Sequence, residues 1–109
     1  MTRAEGVWIW LSRVRGLGAG RARQLVEFFG GEEALLAAQE PELREAVGEA
    51  LAASLLEARR QEEINDHVRA CRRAGVRILT PASPAYPEAL RDIYDPPCAL
   101  YARGDLRLL

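Results

Sequence analysis

The run RGLGAGRARQLVEFFGG, from Arg15 to Gly31, reads as a glycine turn, one helix and a glycine stop. Gly16 and Gly18 permit a tight turn at positive φ, where a side chain would be strained. Leu17, between them, is placed to tuck between the helix before the turn and the helix after it. Ala22 lets those two helices approach closely. The first backbone N–H groups of the second helix have no acceptor within it and point outward as a ready anion site. Arg13, Arg15, Arg21 and Arg23 stand around this turn. With Gly16, Gly18 and Gly20 they are the candidate contacts to backbone phosphates. Glycines that serve the turn alone are the competing reading. A dinucleotide fingerprint is excluded, because no strand precedes the glycines and their spacing is wrong for it.

Upstream, Val7, Trp8, Trp10, Leu11 and Val14 fall at helical spacing, and Met1 to Gly6 reads as a frayed lead-in. Trp8 and Trp10 cannot face the same way on a helix, so one is expected at the rim or against a partner, and packing on a neighbouring helix of the same chain is favoured over stacking on a nucleobase. Gly16-Leu17-Gly18 followed by Ala22 resembles the hairpin of the helix-hairpin-helix family. Downstream, Glu32 to Ala38 is a short helix whose acidic first turn suits the positive end of the helix dipole. Pro41 opens a helical segment through Leu43 and Val47, and Gly48 interrupts it. With Ala50-Leu51-Ala52 this resembles a worn second hairpin, whose glutamates argue against phosphate contact.

Glu49 to Arg60 continues as a helix with Leu51, Leu55 and Leu56 on its buried side. Glu62 to Ala74 is another helix or an extension of it, with Ile64, Val68 and Cys71 as its apolar stripe and Gly75 as its stop. His67, one position off that stripe, is a boundary residue. Without a second histidine or a nearby cysteine pair, a metal site is not expected. Val76 to Thr80 alternates as a strand. Pro81, Pro84 and Pro87 hold a loop, Glu88 to Ile93 makes a short helix, Asp95-Pro96-Pro97 stops it, and Cys98 to Ala102 is a short apolar strand.

The charge is unevenly spread over the 109 residues. Residues 1–31 carry a formal +3, residues 32–63 carry −6 and residues 64–109 carry +2, so the net of −1 conceals a basic head and an acidic middle. Cys71 and Cys98 are too few and too isolated for a disulfide framework, which favours a reduced, cytoplasmic setting. The apolar run Val7 to Leu11 is far too short to cross a bilayer.

Tyr86-Pro87, Leu90, Ile93, Asp95-Pro96-Pro97, Leu100-Tyr101 and Gly104 resemble the entry to the Rossmann-like domain of the DNA-processing protein family DprA, also called Smf. The helical segment before it resembles the small sterile-alpha-motif-like domain at the front of that family. The resemblance implies a mainly α chain: a SAM-like helix-hairpin-helix domain over residues 1–74, then the first strand-helix-strand elements of a Rossmann-like α/β domain over 75–109. It also implies an N-terminal piece of a longer protein. The family's glycine-serine-arginine loop and its nucleic-acid groove lie further on and have no counterpart here.

From the same resemblance, the whole molecule would bind single-stranded DNA and hand it to the RecA recombinase during natural transformation, without covalent chemistry or a cofactor. The piece in hand would serve protein contact, self-association or positioning of the DNA-binding domain. Two rivals stand beside this: a stand-alone DNA-binding module using the Gly16–Gly20 turn, and a fragment of a Rossmann-like nucleotide-processing enzyme related to the cytokinin-activating and lysine-decarboxylase-like enzymes. The sequence offers no catalytic set. It has one histidine, no nucleophile elbow and no P-loop, and Asp92 and Asp95 each have a local structural reason.

Overall fold

The computed structural model describes residues 2–91 and 97–103. In order, the elements are α1 (Arg3–Ser12), α2 (Ala19–Phe29), α3 (Glu32–Ala37), α4 (Glu40–Val47), α5 (Glu49–Ala58), α6 (Gln61–Arg73), β1 (Val76–Leu79), α7 (Glu88–Arg91) and β2 (Leu100–Arg103). The chain is mainly helical with one small sheet. Ile93, Asp95, Pro96 and Gly104 of the family-like signature lie outside the described residues.

Helix α1 is the hub. It packs on α2, α3, α5 and α6, and five consecutive residues, Val7 to Leu11, are buried. That arrangement corrects the expectation of a tryptophan at the rim, because a helix covered on several sides has no rim to which one must go; both tryptophans pack on neighbouring helices of the chain. Trp10 is fully buried and Trp8 nearly so. Each indole N–H also has an acceptor. Trp10 Nε1 donates to the Leu55 carbonyl at 2.9 Å, and Trp8 Nε1 donates to Glu32 Oε2 at 3.3 Å.

The lead-in is not frayed either. Thr2 caps α1 in a reciprocal box: Glu5 N donates to Thr2 Oγ1 at 3.1 Å, and Thr2 N donates to Glu5 Oε1 at 3.0 Å. The pattern T-x-x-E at positions 2 to 5 is the sequence signal for this start.

Two helix pairs repeat one plan. In the first, α1 turns into α2 through Gly18, at φ 75° and ψ 154°. In the second, α4 turns into α5 through Gly48, at φ 89° and ψ 167°. This region of backbone space is essentially reserved for glycine. Each glycine carbonyl accepts the helix's first bond at 3.0 Å, from Ala22 N and from Ala52 N. Ala22 and Ala52 are both buried, as are Leu25 and Leu55 one turn later. The expected tuck of Leu17 is observed, with 2% of its surface exposed. Its counterpart, Val47, is half-buried.

β1 and β2 pair antiparallel, with Val76 opposite Arg103, Arg77 opposite Ala102, Ile78 opposite Tyr101 and Leu79 opposite Leu100. A crossover of the Rossmann type would make such neighbours parallel. Both strands are displaced from the sequence-based limits. Thr80 leaves β1 to close a turn, its N–H donating to Ser83 Oγ at 2.9 Å while its carbonyl accepts from Ser83 N at 2.8 Å. Cys98 precedes β2 and is buried in the helical core instead. Ile78 and Ala82 pack on that same core, so the apolar cluster runs across position 75.

Candidate nucleic-acid interface

The turn between α1 and α2 brings only part of the predicted set together. Arg15, Gly16 and Arg21 line one open groove with Gly48, Glu49 and Ser54, where the two hairpins meet. Both arginines are exposed, and among the described residues neither makes an ion pair or a hydrogen bond. Gly18 caps α2 without a side-chain acceptor, and Gly20 sits in the first turn of that helix. The backbone N–H groups there therefore remain available to an anion.

Arg13 and Arg23 are turned to other work. Arg13 donates to the Glu63 carbonyl at 3.1 Å and lies 4.0 Å from its carboxylate, which ties the end of α1 to the start of α6. The Arg23 Nε lies 3.9 Å from Glu27 one turn on and is buried, without a hydrogen-bond partner among the described residues.

The outer face of α2 adds two residues that the sequence reading passed over. Arg21, Gln24 and Phe28 follow one another at three- and four-residue steps and line a second groove, of about 300 Å³, with Leu17, Leu25 and Val47. Phe28 is 73% exposed, while Phe29 beside it is half-buried and meets it edge-on at 5.3 Å. The signal was present in the heptad: once Ala22, Leu25, Val26 and Phe29 are assigned inward, Phe28 must face out.

The described part of the family-like signature is structural in its contacts. Tyr86 is buried, its hydroxyl donates to the Pro97 carbonyl at 2.8 Å, and the Arg91 guanidinium lies 5.2 Å from its ring. Burial pushes the Tyr86 phenol above its ordinary range. Pro87, Leu90 and Leu100 are half-buried. Tyr101 is exposed and its hydroxyl meets His67 Nε2 at 3.0 Å, which places the single histidine at a boundary between α6 and β2.

Glu5 ties the start of α1 to the turn that follows β1. Ser83 Oγ donates to its Oε2 at 2.6 Å. Burial by itself would raise the Glu5 carboxyl, but the hydrogen bonds from Ser83 and Thr2 outweigh it and hold the group below its ordinary value.

Among the described residues, no group of three or more His, Cys, Asp or Glu side chains is placed to hold a metal ion, and no helix is long and apolar enough to cross a membrane. No family model matches the chain, and no curated protein or solved structure matches it either.

Proposed function

We propose that this chain is the front part of a DprA-like DNA-processing protein that acts in the cytoplasm, binds single-stranded DNA and passes it to the RecA recombinase during natural transformation. The observation that carries the reading is the order of the signature from Tyr86-Pro87 to Leu100-Tyr101, together with the closure of its described part by the Tyr86–Pro97 hydrogen bond. The buried Tyr86 and its bond to the Pro97 carbonyl give the tyrosine of the pattern a structural use. In this reading the helices position the rest of the protein or contact a partner, and DNA contact by this piece is weak. No covalent step is assigned to it.

A second reading has its own support. Arg15 and Arg21 are exposed at a groove between two glycine turns, which suits a backbone phosphate, so the chain acts as a DNA-binding module in its own right. Such contact would be indifferent to base sequence and steeply dependent on salt.

One experiment separates the two readings. The chain is titrated into a fluorescent single-stranded oligonucleotide at about 50 mM and about 200 mM salt, the range over which phosphate contacts show themselves. Its binding to RecA and to itself is measured in parallel. Tight, salt-steep DNA binding favours the module. Binding to RecA or to itself, with DNA bound weakly or not at all, favours the positioning role. Binding to none of the three counts against both.

A further inference from the structure

We propose that the outer face of α2 is a single-stranded nucleic-acid strip, with Phe28 stacking on a base, Gln24 beside the base edge, and Arg21 and Arg15 on phosphates. The proposal rests on the second reading above and gives it residues and a ligand class.

Two independent observations carry it. The first is composition and placement. A large, exposed aromatic ring lies on the same helix face as Gln24 and Arg21, about 10 Å along the axis from Arg21 at the helical rise. No acidic residue lines the Phe28 groove, and Arg21 also lines the adjoining groove with Arg15, so the two grooves share a cation. A stacking ring beside unpaired guanidiniums is what a sequence-tolerant single-strand site requires, because every base has a π face and every nucleotide a phosphate.

The second observation is the internal repeat. With Gly18 set against Gly48, the core-facing positions agree: Leu17 with the half-buried Val47, Ala22 with Ala52, and Leu25 with Leu55. Elsewhere the two hairpins part. Arg15 stands against Glu45 and Gln24 against Ser54, all four exposed, whereas the exposed Arg21 and Phe28 stand against Leu51 and Ala58, which are half-buried against the core. The same backbone plan is therefore built without the arginines, the amide or the exposed ring. Their presence on α2 is not a demand of the shared backbone plan, and a phenylalanine 73% exposed buries little of its ring in folding.

The test uses the full chain and a fluorescent oligothymidylate at low salt. Phe28→Leu keeps an apolar side chain but removes the π face, and it should weaken binding about 5- to 150-fold, the range for one stacked base. Phe28→Trp should retain or tighten binding. Arg21→Ala should lower the log–log salt slope by about 0.7. Since Phe28 is exposed, its variants should melt with wild type, which separates loss of binding from loss of fold.

If the wild-type chain binds no oligonucleotide, the strip and the second reading fall together. If it binds and Phe28→Leu binds equally well, the strip falls and the second reading stands. If Phe28→Leu instead changes only self-association, the face joins copies of this chain and the proposal is overturned.

Discussion

The two hairpins form a natural pair of experiments within one chain. Both change direction at a glycine held at positive φ, both bury an alanine four residues later, and both bury a leucine one turn beyond it. They also open alike. Glu5 answers the cap at Thr2 before α1, and Glu42 Oε1 accepts from Gln39 N at 3.1 Å before α4. They differ in what they show to water. The first exposes Arg15, Arg21 and Phe28; the second exposes Glu45, while Leu51 and Ala58 at the other two matching positions are half-buried against the core. What the two share is what a helical hairpin needs in order to fold. What only one carries needs another reason, and surface chemistry supplies it.

The hardest blow to this picture would fall where the hairpins join. Trp10 is fully buried on α1, donates to the Leu55 carbonyl on α5 and lies 5.7 Å from the Arg59 guanidinium. Trp10→Ala removes the largest fully buried side chain and should cost about 3–5 kcal/mol in urea unfolding. Trp10→Phe keeps much of the volume but removes the donor to Leu55, and about 1–3 kcal/mol is expected from that loss. If Trp10→Ala melted like wild type, the two hairpins would not share a core.

Next in size are the glycines. Neither Gly18 nor Gly48 has an atom within 4 Å of where a Cβ would stand, so an added methyl meets no clash. The cost of Gly18→Ala and of Gly48→Ala is therefore backbone strain alone, about 1–3 kcal/mol each. Because the two conformations nearly coincide, the two losses should be similar. A large loss at one position and none at the other would break the equivalence of the hairpins.

Much of the helical layout was legible because glycine and proline punctuate it. Gly16, Gly18, Gly30, Gly31 and Gly48 mark turns, and Pro41 lies at the start of α4, as its lack of an N–H suggests. The rim expected for a tryptophan was misjudged for a physical reason. Periodicity tells how many faces a helix has, but not how many of them are covered, and α1 is covered by four other helices. The capping box at Thr2 was legible and passed over. For the site, charge and glycine content picked out seven residues but not which arginines were already engaged. Arg13 is spent on Glu63, far along the chain, and no local pattern announces such a contact. The strands also escaped precise limits, since Thr80 has as good a use in a turn as in a ladder.

A smaller effect separates the two capping carboxylates. Glu5 is held below its ordinary value because Ser83 and Thr2 donate to it, whereas Glu42 is exposed and, among the described residues, bonds within its own cap. A carboxyl lowered in the folded state adds stability above its unfolded value, near 4.5, and loses it as pH falls through the folded value. Stability should therefore drop as pH falls below about 4.5, and Glu5→Gln should flatten that drop while lowering stability at neutral pH. Equal acid sensitivity in wild type and Glu5→Gln would mean that the Ser83 contact does not favour the charged carboxylate.

The smallest expected effect on stability is also the most telling about function. Arg15→Glu with Arg21→Glu gives the first hairpin acidic groups where its arginines now stand. Both side chains are exposed and, among the described residues, unpaired, so unfolding should shift by no more than about 0.5 kcal/mol. Oligonucleotide binding, if phosphate contact drives it, should disappear. The reciprocal change, Glu45→Arg, places a cation at a matching exposed point of the second hairpin, beside an α5 that also begins at a bare glycine cap. Backbone and helix end are already in place there, so a gain of salt-sensitive binding would show that a guanidinium is all the second hairpin lacks. No gain, with the first hairpin still binding, would locate the difference at Arg21 and Phe28, which Leu51 and Ala58 replace.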